Sequence, residues 1–357
     1  MMRAVMLRAS CLLLLGLLAA CAGDAWQGYT PLPEAAQHPH PTTAPHTDRN
    51  GAVLTAFDPA RSFFPIALGG VLNDYSQNSG RGFHDAFLAD FNAVSAEPGQ
   101  PLPDLLAAAD ISRLQLLRPQ RDLQHAALLD ASTAVVATLP RDPAEAADFA
   151  ATVRQQPDRP VWALIPVYAK PDQRLLGGAE ARVLAFAAIT SGAGGILWRG
   201  EDNYVARNSG AMGISPRPQL DYGIRTGDTA PLNVTPAAVA ASRRLWDAVA
   251  QLNRRISRIS PALLKPDADH PYEIAVRSDR TSTAPPRLRA LLKPLAEDAL
   301  LLIVANPAPT VEEMRVQMAF TKVARQDDDQ PVEQDAARGY FRDRIPAYGA
   351  TLYRITP

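Results

Sequence analysis

The chain has only two cysteines, and both lie close to its start, at Cys11 and Cys21. The remaining residues have no thiol with which to form a disulfide, so the fold must depend on its hydrophobic core. A chain of 357 residues with 47% hydrophobic content is large enough to bury such a core. Neither sign of charge is in excess, because 36 lysines and arginines face 37 aspartates and glutamates and the formal net charge is -1. This balance excludes a broad basic surface for nucleic acid or anionic lipid.

Long apolar runs are rare as well, and the clearest one lies at the N-terminus. Arg3 and Arg8 form a short positive region before the apolar stretch 11–18, which is too short to span a bilayer. The stretch ends in Leu-Ala-Ala-Cys at Cys21, which resembles the lipobox of bacterial lipoproteins. The resemblance implies a signal peptide over 1–21, a diacylated Cys21 and, from Ala22 in place of Asp, the outer membrane. An ordinary signal peptide cleaved at the same point is the alternative.

Residues 22–50 are rich in proline, histidine and threonine. Such a composition buries little surface, so we predict a disordered, extended tether between the lipid and the fold. His38, His40 and His46 are potential metal ligands, but no acid or cysteine lies at a fixed spacing from them. We therefore predict no metal site, and we predict no cofactor.

From about residue 51 to 265, short apolar runs alternate with helical patterns. That alternation predicts βαβ units and a parallel sheet, whose strands are fully apolar where both faces are covered. Six such strands are fewer than a complete barrel needs, so the sequence predicts an α/β fold with a (β/α)8-like barrel that is either reduced or has strands hidden in weak sequence. The predicted strands are 63–70, 91–94, 114–117, 134–139, 161–167 and 195–198, after an edge strand at 52–57, and the predicted helices are 83–89, 102–109, 122–129, 144–155, 179–190 and 236–259.

Beyond Pro266 the helical pattern gives way to short strand patterns with loops between them. This pattern is typical of a small β-sandwich, which we place at 266–357. The connection from the preceding helix is short and contains the apolar pair Leu263 and Leu264, so we expect the sandwich to pack on the barrel. The predicted strands are 272–276, 287–292, 299–304, 315–320 and 349–355.

Several segments, taken in order, resemble bacterial TIM-barrel glycoside hydrolases. Residues 62–75 (SFFPIALGGVLNDY) resemble the PFFPIG opening strand of that group, and 91–99 (FNAVSAEPG) resemble its GFNTV second strand. The segments 159–168 (RPVWALIPVY) and 179–200 (AEARVLAFAAITSGAGGILWRG) are similar to the late part of the barrel, and LLLIVANPAP and RIPAYGATLYRI are similar to the sandwich. The resemblance spans about 52–357 and implies a barrel with a C-terminal sandwich that acts on carbohydrate.

The chain departs from that group at one functional position. There the fourth strand ends in Asp-Glu-Pro, whose glutamate is the proton donor, whereas this sequence reads Pro-Arg-Asp-Pro at 140–143. Either Arg141 replaces the acid or Asp142 takes its place after a shift of one residue. A nearby positive charge favours a carboxylate over its acid, so Asp142 is a poor proton donor if both side chains face the mouth. Alternation along a strand would instead turn Arg141 away.

Active sites of such barrels lie at the carboxyl ends of the strands, and several polar or aromatic side chains follow these ends. Cleavage of a glycosidic bond needs two carboxylates, and we predict Asp142 and Glu201 as the pair, because they follow an early and a late strand. Trp198 is predicted to offer a flat face to a sugar ring. The other predicted carbohydrate-binding residues are Asp74, Tyr75, Glu97, Tyr168 and Asp202.

Structural alternatives exist for these and neighbouring residues. Asp142 precedes a proline and is equally suited to cap a helix, and the acids at 201–202 are equally suited to a solvated turn. Glu180 and Arg182 match a Glu-x-Arg motif of the same group and are interpreted as an ion pair that supports the barrel. The glycine-rich residues 192–195 lack the lysine of a phosphate-binding loop and indicate tight packing.

Two functions therefore compete. In the first, an envelope lipoprotein hydrolyses a glycosidic bond in a polysaccharide or oligosaccharide. In the second, the barrel is catalytically inactive and serves as a glycan-binding or envelope-assembly lipoprotein. Both predict a carbohydrate partner and a membrane contact through the lipid, and neither involves nucleic acid.

Overall fold

The structure is a computed structural model. It describes residues 28–37, 46–48, 53–54, 60–69, 79–95, 102–118, 128–130, 134–146, 149–170, 173–200, 213–216, 235–278, 287–296, 298–328 and 330–357. The helices are α1 (Glu34–Gln37), α2 (Ser79–Leu88), α3 (Leu102–Ser112), α4 (Phe149–Arg154), α5 (Gly178–Ser191) and α6 (Pro236–Leu263). The strands are β1 (Thr30–Pro31), β2 (His46–Asp48), β3 (Val53–Leu54), β4 (Ser62–Phe63), β5 (Ile66–Gly69), β6 (Ala93–Ser95), β7 (Gln115–Arg118), β8 (Leu128–Asp130), β9 (Val135–Thr138), β10 (Val161–Pro166), β11 (Gly195–Arg199), β12 (Tyr272–Ser278), β13 (Arg289–Ala296), β14 (Ala299–Asn306), β15 (Glu312–Met318), β16 (Lys322–Arg325), β17 (Glu333–Asp335), β18 (Tyr340–Ile345) and β19 (Gly349–Thr356).

A parallel sheet forms the centre of the first part of the chain, as the alternation of apolar runs and helical patterns predicts. Its order is β8-β7-β6-β5-β11-β10-β9, and every pairing in it is parallel. The first strand, β5, pairs with both β6 and the last strand, β11, so neighbours follow the chain in a cyclic order. A β8–β9 pairing would close the ring, and the residues described here show none. The α/β class with a parallel sheet is therefore confirmed.

One predicted element has the wrong type. The sequence predicts a helix over 122–129, but residues 128–130 form β8 at the edge of the parallel sheet, and 122–127 lie outside the described residues. A short run of leucines suits a buried helix and a buried strand equally well, and here the pairing with β7 decides between them. The predicted helix 144–155 is also shorter, because Asp142 to Ala146 form a turn before α4.

Helix α5 joins the two halves of the molecule. Its residues from Val183 to Ser191 are all buried, which explains why no polar stripe is visible in its sequence. One side lies on β10 and β11, and the other lies on β13, β14 and β19. Phe186 shares a single hydrophobic cluster with Leu301 and Ile303 of the later strands. The expectation that the sandwich packs on the first part of the chain is thus confirmed.

The C-terminal part is a two-layer β-sandwich. A five-stranded sheet (β1-β12-β15-β18-β17) faces a four-stranded sheet (β13-β14-β19-β16). Between them lies a second core, to which the first sheet contributes Ile274, Val316 and Phe341 and the second contributes Leu302 and Tyr353. The five predicted strands all occur, and β16, β17 and β18 are additional.

The prediction of a disordered tether over 22–50 is wrong for two parts of that range. Residues 28–37 form β1 and α1, which pack on the sandwich, and Leu32 and Ala36 are each only 3% exposed. Residues 46–48 form β2, which pairs with β3 and β4. The segment has few apolar residues. Burial of two of them is sufficient to order residues 28–37, because the edge of β12 supplies hydrogen-bond partners for the backbone of β1. The rest of 22–50 lies outside the described residues.

The glycines at 192–195 pack closely, as predicted. Gly192 ends α5 in a left-handed conformation (φ 112°), which glycine adopts without strain. At Gly195 an added Cβ would lie 2.5 Å from Cγ of Pro65 and 3.0 Å from the Trp162 ring, so only glycine fits where β11 begins between β5 and β10. These glycines therefore allow α5 to end and β11 to pack closely between its neighbouring strands.

Candidate functional site

The structure describes only part of the carboxyl edge of the parallel sheet. The predicted site residues Asp74, Tyr75, Glu97, Glu201 and Asp202 lie outside the described residues, as does Cys21. The segments that follow β9 and β10 are described, and they carry Arg141, Asp142 and Tyr168. The candidate site therefore consists of residues on the β9–β10 side of this edge.

A cavity of about 500 Å³ opens where these two segments meet the start of α5 and the sandwich. We call it the Arg141 pocket. Two guanidinium groups and two carboxylates line it, together with an amide and a phenol, so the charges balance. Its lining residues are Arg141, Asp142, Pro143, Gln173, Arg174, Leu176, Glu180 and Tyr348.

Arg141 crosslinks the loops at this edge. Its guanidinium donates to the main-chain carbonyl oxygen of Tyr168 and, at 2.5 Å, to that of Arg174. Burial lowers the pKa of Arg141, and repulsion from Arg174 lowers it further. Among the described residues the guanidinium donates to these two neutral carbonyls, and since an arginine has five N–H donors, donors remain for a ligand. The residue at the position of the missing acid therefore faces the pocket.

Glu180 and Arg174 form a two-pronged ion pair beside Arg141. Nη1 and Nη2 of Arg174 donate to the two carboxylate oxygens of Glu180 at 2.7 and 2.5 Å. Glu180 also accepts the backbone N–H of Gly177 at 2.7 Å and so caps α5. The hydrogen bonds from Arg174 lower the pKa of Glu180, so this carboxylate is ionised at neutral pH.

The predicted ion pair between Glu180 and Arg182 is wrong. Arg182 donates to the main-chain oxygen of Ala350 at 2.7 Å. Its Nη2 lies 3.7 Å from a carboxylate oxygen of Asp327, in the sandwich. Two residues apart on a helix do not share a face, so Glu180 serves the pocket side and Arg182 serves the interface with the sandwich.

Asp142 is exposed and caps a turn. Its Oδ1 accepts the backbone N–H of Ala144 at 2.9 Å, which is the capping role that the sequence left open. Pro143 follows it and the turn runs to Ala146. Asp142 and Arg141 line the same pocket, so the backbone here does not follow the strand alternation that would have turned Arg141 away.

Tyr348, which no sequence argument identified, closes the pocket from the sandwich. It has a left-handed backbone (φ 49°), unusual for a bulky residue, and its N–H donates to the carbonyl oxygen of Ala308 at 3.0 Å. Backbone strain of this kind is concentrated at functional sites. The Tyr-Gly pair at 348–349 signals a turn, but the local sequence carries no information about which distant element that turn meets.

The two predicted aromatic contacts differ in outcome. Tyr168 follows β10, is half-buried and is not among the residues that line the pocket, but its main-chain carbonyl oxygen accepts from Arg141. The prediction that Trp198 offers a face to a sugar is wrong, because its side chain is completely buried. Its indole N–H donates to Asn253 in α6, so the ring faces the helix layer and not the carboxyl edge.

Two absences concern the described residues alone. In that part of the chain, His, Cys, Asp and Glu side chains do not form a group of three or more that could hold a metal ion. Among the same residues, no helix is both long and apolar enough to cross a membrane.

Comparisons with known proteins give no family assignment. No family model and no curated protein matches the chain. Solved structures to which it is similar include a glycoside hydrolase family 5 protein from Bacteroides vulgatus, with 11% identity, 88% of this chain and 94% of that chain covered and a TM-score of 0.45. Another, described as a glycoside hydrolase, shows 9% identity over 88% and 97% of the two chains with a TM-score of 0.44. A maltogenic alpha-amylase from Thermotoga neapolitana shows 13% identity over 80% and 67% with a TM-score of 0.35. These TM-scores are too low for the likeness to bear on the fold or function of this chain.

Proposed function

We propose that this protein is a lipid-anchored component of the cell envelope that binds a carbohydrate in the Arg141 pocket. The observation that carries the proposal is that Arg141 and Asp142 line one cavity. At the position where related hydrolases are expected to hold their proton donor, the pocket instead presents a guanidinium with free donors beside an exposed carboxylate. That arrangement suits recognition better than proton transfer.

The chemistry of the lining fits a neutral, hydroxyl-rich ligand. Each sugar hydroxyl both donates and accepts, and the pocket offers the donors of Arg141, the acceptors of Asp142 and an amide at Gln173 that does both. Tyr348 adds an aromatic side chain with an apolar face and a polar tip, which is the type that packs on sugar rings. Because positive and negative groups are equal in number, the pocket has no preference for an ion of either sign.

The resemblance to TIM-barrel glycoside hydrolases and the cyclic strand order support a (β/α)8-like barrel as the scaffold, with seven parallel strands in the part of the chain that the structure describes. In such a scaffold the carboxyl edge is the place for a site. The Arg141 pocket lies at that edge, after β9 and β10. The position of the pocket and its chemistry therefore agree.

Hydrolysis of a glycosidic bond is the second candidate. It needs a carboxyl that stays protonated until it reaches the leaving oxygen, and a second carboxylate across the bond. In the structure Asp142 is exposed, and its Oδ1 accepts the backbone N–H of Ala144 in a turn, which is a capping contact. Glu201, the predicted second group, lies outside the described residues. The described geometry therefore supports binding more directly than cleavage.

A glycan panel separates the two candidates. The purified Cys21→Ala chain, free of lipid, is screened for both binding and release of reducing ends. We expect at least one glycan to bind without being cleaved and Arg141→Met to weaken its binding by about tenfold or more, because a charge-assisted hydrogen bond is lost. Arg338→Met, at an exposed arginine in a remote turn, is the matched control. Turnover that is abolished by Asp142→Asn and by Glu201→Gln would establish hydrolysis instead. Absence of binding to any glycan, or equal affinity of the Arg141→Met protein, would rule out this pocket.

The lipid anchor is tested separately. The Cys21→Ala protein is expected in the soluble fraction of cells, whereas the wild type is expected to pellet with membranes after a carbonate wash. A variant that still pellets would show that lipidation of Cys21 is not the anchor.

A further inference from the structure

Residues 28–37 are fastened to the sandwich at both of their ends. At the C-terminal end, Oε1 of Gln37 accepts the backbone N–H of Ile274 at 2.8 Å, and its Nε2 donates to the carbonyl oxygen of Leu32 at 2.5 Å. At the N-terminal end, the hydroxyl of Tyr29 donates to Glu313, and burial raises the pKa of this phenol to about 12. The segment is therefore part of the folded unit.

The strand register fixes where this segment leaves the sandwich. Thr30 lies opposite Val276 in the antiparallel β1–β12 pair, so Gly28 comes opposite the end of β12 at Ser278. A Cβ placed on Gly28 would lie 3.6 Å from Cδ of Arg277, which agrees with that position. Across the same sheet Ser278 pairs with Glu312, and Glu312 pairs with Ile345. Gly28 thus stands at the end of the sheet where β18 finishes.

The same end of the sandwich carries Tyr348. Ile345 leads directly into the turn that holds it, and Nδ2 of Asn306 fixes that turn by donating to the carbonyl oxygens of Ile345 and Pro346 at 3.2 and 3.0 Å. Strands are spaced about 4.8 Å apart, which separates Gly28 from Ile345 by roughly 15 Å over three spacings. Three further residues add at most about 10 Å. The exit point of the N-terminal segment and the Arg141 pocket therefore share one end of the molecule.

The chain between Cys21 and Gly28 is short. Its seven Cα steps span at most about 25 Å when fully extended. If all of 22–50 were a free tether, the corresponding reach would be about 100 Å. Docking of residues 28–37 thus shortens the maximum distance between Cys21 and the folded part of the chain about fourfold. It also determines that the end of the sandwich at Gly28 is the end nearest to the lipid.

We infer that the acyl chains on Cys21 hold the pocket end of the sandwich close to the bilayer, so that the Arg141 pocket meets carbohydrate at the membrane surface. The inference rests on the lipidation in the proposed function. Its partner is the lipid surface that carries the protein, and its consequence is that the ligand is a saccharide displayed at that surface. The opposite end of β18, at the turn 336–339, lies farther from the bilayer by the length of the strand, roughly 17 Å.

A pair of single-cysteine variants measures this orientation. Cys21 is the last cysteine of the chain and would be acylated, so an introduced cysteine is the one free thiol of the mature protein. Ala347→Cys places a fluorophore at the pocket end, and Arg338→Cys places it in the exposed turn at the opposite end. Both acylated proteins are inserted in vesicles of phosphatidylethanolamine and phosphatidylglycerol that contain an acceptor dye on a lipid. We expect a larger loss of donor fluorescence from the label at 347.

A lengthened tether provides the control. Insertion of about 20 Gly/Ser residues after Asp24 makes a flexible linker that lets the fold turn over, so the difference between the two labels should disappear. Equal losses from the two labels on the short tether, or a larger loss at 338, would overturn the orientation while leaving the anchor intact. A mature protein whose mass lacks acyl chains would overturn the lipidation and, with it, this inference.

Discussion

The indole N–H of Trp198 donates to the side-chain oxygen of Asn253 at 2.9 Å, and this hydrogen bond ties the last parallel strand to α6. The amide nitrogen of Asn253 donates in turn to the carbonyl oxygen of Ala89 at 3.1 Å, after α2. Asn253 and Trp198 are both completely buried. One asparagine thus satisfies a buried donor and a buried acceptor from two separate elements, and it accounts for the position of Trp198 away from the pocket.

Replacing Asn253 by alanine is expected to be strongly destabilising. The change leaves the indole N–H and the Ala89 carbonyl buried without this partner, which costs about 2–4 kcal/mol in the free energy of unfolding. Urea denaturation followed by tryptophan fluorescence measures the change. Gln251→Ala, at an exposed position of the same helix, is the control and should unfold near the wild-type midpoint. Similar midpoints for the two variants would show that the hydrogen bonds contribute little.

Asp327 lies at the interface between α5, α6 and the sandwich. Its carboxylate forms an ion pair with Arg255 and lies 3.7 Å from Arg182. Burial lowers the pKa of Arg255 to about 9, and the nearby Arg182 contributes to the decrease. The ion pair therefore offsets the cost of a desolvated charge.

Asp327→Asn is expected to reduce the free energy of unfolding by about 2 kcal/mol, because it removes the ion-pair partner of a partly buried guanidinium, on which the carboxylate of Asp328 still acts. The control is Glu333→Gln, which removes the exposed partner of Arg342 and should change stability by less than about 1 kcal/mol. Thermal unfolding monitored by circular dichroism compares the two. Equal shifts in Tm would contradict a special role for Asp327.

Leu32→Ala tests whether residues 28–37 belong to the fold. Because Leu32 is 3% exposed in the sandwich core, its truncation should cost about 2–4 kcal/mol. Glu34→Ala, two residues away and exposed, should have little effect. Chemical denaturation of both variants provides the measurement. If Leu32→Ala proves as harmless as Glu34→Ala, the segment is a free tether after all.

The ion pair at the pocket predicts a pH dependence of stability. The pKa of Glu180 is lowered in the folded state, so its contribution is present above the pKa of the unfolded chain and is lost as pH falls through the folded value. At pH 7, Glu180→Gln should cost about 0.5 kcal/mol, a small effect because the side chain of Arg174 is 72% exposed.

This difference between wild type and Glu180→Gln should shrink as pH falls below about 4, the range in which glutamates become protonated. Glutamine can still accept the Gly177 N–H, so the comparison isolates the charge. Glu273→Gln, at an exposed strand position, is the control for a generic charge effect. A difference that stays constant from pH 7 to pH 3 would contradict the ion-pair explanation.

The sequence by itself determined the elements whose side-chain pattern is local. The apolar strands of the parallel sheet, the buried stripe of α6 and the five long sandwich strands follow from periodicity, because burial on one or both faces imposes a repeat within a few residues. The position of Arg141 and Asp142 beside the carboxyl edge also follows, since a residue placed after a parallel strand is carried to that edge. That residues 22–357 contain no disulfide among themselves follows from the position of the two cysteines alone.

Only the tertiary structure decided the features that depend on partners distant in the chain. Whether Leu128 to Asp130 form a strand depended on β7, and whether residues 28–37 are folded depended on the open edge of β12, more than 200 residues later. Trp198 turned toward Asn253, and Tyr348 reached the Arg141 pocket from the sandwich. Each outcome is set by which surface happens to lie opposite a side chain, and local sequence pattern carries no information about that surface.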